Sequence, residues 1–92
     1  MTQPITDNEI ERLLNEVRAE RFRQNEKWGI QNHSPETWLL VLGEEVGEVC
    51  RALLESRFGK QPLSEYRAEL IHVVAVAVAA AESFDRNEGG VK

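Results

Sequence analysis

Residues 73–81, VVAVAVAAA, decide the fold. Valine and alanine alternate here as they would on a half-buried strand, yet the same letters also suit a helix that is apolar on nearly every side. The neighbouring residues favour the helix. Residues 63–72, LSEYRAELIH, have helical spacing, and Leu63, Tyr66, Leu70, Val73, Ala77 and Phe84 keep one stripe through the whole segment. Alanine is also the best helix former. We therefore read residues 63–84 as a helix. Three helices of one short chain cannot cover a helix so poor in polar surface, so residues 73–81 are expected to pack against a second copy of the chain.

Two further helices precede it. In TDNE, Thr6 followed by Glu9 has the spacing of a capping box, opening a helix over about residues 6–24 with Ile10, Leu13, Leu14, Val17 and Phe22 inward. In SPET, Ser34 is an N-cap and Pro35 the first helical residue, opening a helix over 35–56. Its stripe is Leu39, Leu42, Val46, Val49 and Leu53, with Gly43 and Gly47 beside it permitting close backbone approach. Gly59 is expected in the left-handed conformation that ends a helix, with Pro62 preventing continuation. The stretch NEKWGIQNHSP between the first two helices reads as a long loop, the kind that often carries function. Residues 85–92 are expected to fray. The fold class is thus all-α, an antiparallel helical bundle completed by oligomerisation, in one domain spanning 1–92.

Composition narrows the partners. With 92 residues and 41% hydrophobic content the chain has a core, but a small one, which makes a homodimer or homotetramer a natural source of stability. The net charge of −5 argues against a nucleic-acid polymer or an anionic membrane surface as partner. The apolar run 73–81 falls far short of a membrane span, and MTQPITDNEI has no apolar stretch of signal-peptide length, so a cytoplasmic setting is expected. The lone Cys50 is expected as a small buried side chain rather than a nucleophile.

The chemistry concentrates in LGEEVGEVCRALLE, residues 42–55. Glu44 points toward solvent, whereas Glu45 and Glu48 lie one turn apart at the border of the apolar stripe. On the third helix Glu69 borders its own stripe, with His72 one turn on and Glu65 one turn before. If these helices pack antiparallel, Glu45, Glu48 and Glu69 converge. Carboxylates gathered in a partly desolvated pocket raise one another's pKa unless a cation sits among them, and a hard divalent ion takes such oxygen ligands. The other reading is of solvated helix-face charges, with Glu48 paired to Arg51 and Arg51 to Glu55.

GEEVGEV followed by ELIH resembles the signature of the MazG-like all-α nucleoside triphosphate pyrophosphohydrolases, ExxE and then ExxD after a variable gap. NEKWGIQNHSPETWLLVLGEEVGE and YRAELIHVVAVAVAA are similar to the small phage and mobile-element members, so the resemblance spans roughly residues 26–82. It implies a MazG-like bundle that hydrolyses a nucleoside triphosphate, noncanonical or deoxy, to the monophosphate and pyrophosphate with Mg²⁺ or Mn²⁺. By position it implies Glu45, Glu48 and Glu69 as metal ligands and Glu45 or Glu48 as the catalytic base. The fourth position departs, since His72 stands where the pattern has an acid. His72 is then a ligand favouring Mn²⁺, an orienting group, or the mark of a lost site, with Glu65 a substitute carboxylate. For substrate, Trp28 and Trp38 offer stacking faces, Gln31, Asn32 and His33 offer hydrogen bonds, and Lys27, Lys60 and Arg67 offer charge for phosphate. Two rivals remain open: a phosphoribosyl-ATP pyrophosphohydrolase-like activity, and a non-catalytic helical interaction module.

Overall fold

A computed structural model of the chain describes residues 2–87, and among these every regular element is a helix: α1 (Asp7–Trp28), α2 (Pro35–Phe58) and α3 (Ser64–Asn87). The helix starts follow local chemistry. The Glu9 amide donates to Thr6 Oγ1 and the Thr6 amide to Glu9 Oε2, both at 3.2 Å, so two amides without helical partners satisfy each other's residues. The Thr37 amide donates to Ser34 Oγ at 3.3 Å, and Pro35 sits where its missing N–H costs nothing.

The helix ends lie further on than the sequence reading places them. α1 continues through Asn25, Glu26, Lys27 and Trp28 before Gly29 turns the chain at φ 71°, a conformation open chiefly to glycine. The expected long loop is therefore short, residues 29–34. Gly59 departs from expectation as well, with φ −118° rather than left-handed. Its need is for space, since a Cβ there would lie 2.7 Å from the Glu55 carbonyl oxygen.

Packing is organised by α3, which touches both other helices, whereas α1 and α2 do not pack on one another. Glu16 meets Arg67 and Arg23 meets His72, so α1 runs parallel to α3. Trp38 meets Val76 and Ala79 while Glu45 lies by Glu69 and His72, so α2 runs antiparallel. The core is small: Trp38, Val76 and Ala79, with Val41, Leu42 and Ala80 packed against them, and with Val17, Ala52 and Ala75 buried elsewhere.

The buried face of α3 is not the expected stripe. Ala75, Val76, Ala79 and Ser83 face the neighbouring helices, whereas Ala77 and Phe84 of the expected stripe are exposed. Small side chains let α1 and α2 approach from two flanks, and the bulkier Leu70, Val74 and Val78 are left outward. The same offset affects α2, where Leu39 is 69% exposed and Val46 is also open, and α1, where only Val17 is buried. Gly43 and Gly47 have nothing within 4 Å of a Cβ, so they mediate no close approach within the chain, and Cys50 is exposed rather than buried. Among the described residues no helix is long and apolar enough to cross a membrane.

Candidate active site

Since α1 and α2 both lean on α3 without meeting, a cleft of about 520 Å³ opens between them, with His72 and Val76 of α3 in its wall. One end is acidic. Glu45 from α2 and Glu69 and His72 from α3 each offer a donor atom, all within 4.8 Å of one another, and all three side chains are half-buried. His72 Nδ1 stands 3.4 Å from Glu69 Oε2. The Glu45 carboxyl is held above its ordinary range, first by burial and then by the charges of Glu69 and Glu48, with His72 opposing.

Glu48 lies close enough to act on Glu45 through its charge, but its side chain is in an ion pair with Arg51 and is not a member of the close group. Helix geometry explains this, because Arg51 is one turn along the same face of α2. Glu44 and Glu65 are exposed, and Glu65 does not join the group.

The other end of the cleft is aromatic and cationic. Trp38 forms an inner wall, its ring edge-on to His33 at 4.9 Å, and its Nε1–H is buried without a hydrogen-bond acceptor. Trp28 stands at the rim, 57% exposed, with Lys27 Nζ 4.5 Å from the ring centre. Gln31 lines the same space. Of the three basic residues considered for phosphate, Lys27 lines the cleft, whereas Arg67 is bound to Glu16 and Lys60 lies in the turn between α2 and α3. Asn32 is absent from the cleft wall, since its Oδ1 accepts from Arg86 Nε at 2.9 Å and Asn87 Nδ2 at 3.0 Å.

Those bonds show what holds the loop. Ser83 Oγ donates to the His33 carbonyl at 3.3 Å and Arg86 Nη2 to the Gln31 carbonyl at 3.2 Å, so the last turn of α3 carries residues 31–33. Residues 85–87, expected to fray, are thus helical and bear load; residues 88–92 lie outside the described residues.

Sequence reasoning missed two residues of this site. Glu20 and Arg23 line the cleft, Glu20 lies in an ion pair with Arg23, and Arg23 Nη2 is 3.3 Å from His72 Nε2. A signal was there to read: Glu20, Arg23, Gln24 and Lys27 recur at helical spacing, as a polar stripe on α1.

The donor set suits a divalent cation. Two half-buried carboxylates, one with a raised pKa, are groups that a divalent cation could bind, while the imidazole of His72 is a poor donor for Mg²⁺. No protein-family model, no curated protein and no solved structure matches the chain.

Proposed function

We propose that the chain is a divalent-metal-dependent hydrolase that converts a nucleoside triphosphate to the monophosphate and pyrophosphate. One observation carries the reading: a single cleft holds Trp28, Gln31, Trp38 and Lys27 at one end and Glu45 and His72 at the other. Stacking faces and a lone indole donor suit a base, a lysine suits phosphate, and the acids suit a cation beside it. The resemblance of residues 26–82 to MazG-like enzymes supports the same assignment.

Glu45 and Glu69 would hold Mg²⁺ or Mn²⁺, with His72 beside Glu69, and the ion when bound would neutralise phosphate charge and lower the pKa of water. Trp28 and Trp38 flank the base, and Lys27 meets the phosphate chain. Water attacks the α-phosphorus, its oxygen bonds there as the bond to the bridging oxygen breaks, and pyrophosphate leaves. The proton goes to a glutamate beside the cation, Glu45 in the cleft wall or Glu48 one turn along α2. The test is pyrophosphate release with Mg²⁺ or Mn²⁺ from a panel of ordinary, deoxy and noncanonical nucleotides, with phosphoribosyl-ATP included. Release from none would sink the proposal.

A second reading, a helical interaction module without catalysis, is favoured by the engagement of Glu48 with Arg51. Calorimetric titration separates the two, because the module requires no affinity for either metal.

Self-association belongs to both readings. The chain exposes 7160 Å², roughly 1,700 Å² more than a folded monomer of its mass, about twice what one partner contributes to a standard protein interface. The radius of gyration, 15.4 Å, likewise exceeds the roughly 12 Å of a compact chain of this length. Ala77→Glu places a charge on the open face of α3 beside Val74 and Val78, and should lower the assembled mass measured by light scattering. An unchanged mass would remove that face from the interface.

A further inference from the structure

We propose that Arg23 and Glu20, both on α1, are positioning residues that fix His72 as the hydrogen donor to Glu69. The argument begins with what each group can do. A guanidinium only donates, so Arg23 Nη2 at 3.3 Å from His72 Nε2 requires the lone pair of the ring to be on Nε2. The ring hydrogen of neutral His72 is then on Nδ1, which faces Glu69 Oε2 at 3.4 Å. Both ring nitrogens are thereby occupied, one by α1 and one by the acidic cluster.

Glu20 acts one step further back. Its side chain is only 11% exposed, and its Oε1 is 3.8 Å from His72 Nε2, beyond hydrogen-bond reach. Its partners are the Arg23 guanidinium and Gln24 Nε2, which donates to Oε2 at 3.2 Å. A carboxylate with so little exposure is favoured when so paired, and the pairing holds the otherwise exposed Arg23 against His72 Nε2. The result is a network crossing from α1 to α3, in which Gln24 and Arg23 both donate to Glu20, Arg23 also donates to His72, and His72 donates to Glu69.

This gives His72 a role that needs no bond to metal. An imidazole that donates to a ligating carboxylate sets its orientation and leaves the other oxygen free, as outer partners of metal ligands commonly do. That part rests on the reading of Glu69 as a ligand; the tautomer does not.

The experiment is ¹⁵N spectroscopy of the full-length, metal-free protein at about pH 8, above the ordinary imidazole value, with Mn²⁺ titration of the same samples. Wild type should show His72 protonated on Nδ1. Arg23→Met should move the hydrogen to Nε2 and weaken Mn²⁺ binding by roughly 10-fold, with Glu20→Gln acting in the same direction and Arg23→Lys restoring the Nδ1–H form. A hydrogen on Nε2 in wild type, or a tautomer indifferent to Arg23→Met, overturns the proposal. A tautomer that responds to Arg23→Met in a protein without affinity for Mn²⁺ upholds the relay and overturns the metal reading instead.

Discussion

Glu16 on α1 and Glu45 on α2 both face α3, and α3 receives them in opposite ways. Arg67 of α3 gives Glu16 two parallel hydrogen bonds of 2.7 Å each, and its carboxyl is held below the ordinary range by those bonds and by the guanidinium charge. Glu45 is pushed up by burial, and by the charges of Glu69 and of Glu48 and Glu44 on its own helix, against an opposing effect of His72. A helix seam answered from within the chain is structural. Negative charge gathered against its own kind in a half-buried cleft is unfavourable for folding alone and makes sense for a site that receives a cation.

The sharpest way to break this contrast is Glu45→Gln. Pyrophosphate release should fall by about 10²-fold or more while the fold is kept, since a general base contributes on that scale. Activity near wild type would make Glu45 as ordinary as Glu16. Ser83→Ala comes next, because it removes a buried neutral hydrogen bond to the loop that forms the aromatic end of the cleft. It should cost about 1 kcal/mol in urea unfolding. Arg67→Met should cost less, and the difference from wild type should shrink with added salt, because that pair is solvent-exposed.

Thermal melts of the metal-free protein across acid to neutral pH give the smallest effects and the clearest opposition of sign. Glu45 has a raised pKa, so its contribution is fully present below the ordinary carboxylate value and is lost as pH rises through the raised value. Glu16 has a lowered pKa, so its contribution is present above the ordinary value and is lost as pH falls through the lowered one. Glu45→Gln should therefore flatten the upper part of the profile and Glu16→Gln the acid part. Profiles that change in the same direction would show that the two carboxylates do not differ as described.

Much of this was legible in residue order. The capping box at Thr6 and the N-cap at Ser34 are read from neighbours within one turn, and the helical reading of residues 73–81 agrees with α3. The angles of Glu45 and Glu69 anticipated their meeting, because two antiparallel helices bring matched borders together, but they gave Glu48 rather than His72 as the third member. Glu48 was not separable from Glu45 by angle: its pairing with Arg51 was the rival reading of the same acids, and spacing along one helix does not choose between them. Glu20 and Arg23 were hidden for another reason: they reach the site through His72, 49 positions beyond Arg23, on a helix that α1 meets only through the fold.

Sequence alone therefore determined the three helices and their starts, because capping and periodicity act within about four residues. It also determined which residue types could bind a cation. Tertiary structure alone decided that α3 buries its alanines rather than its larger stripe, that α1 and α2 part to leave a cleft, and that α1 reaches the acidic cluster through Arg23. The physical reason is that these depend on how closely helix axes approach, which side-chain size and charge on distant segments set jointly.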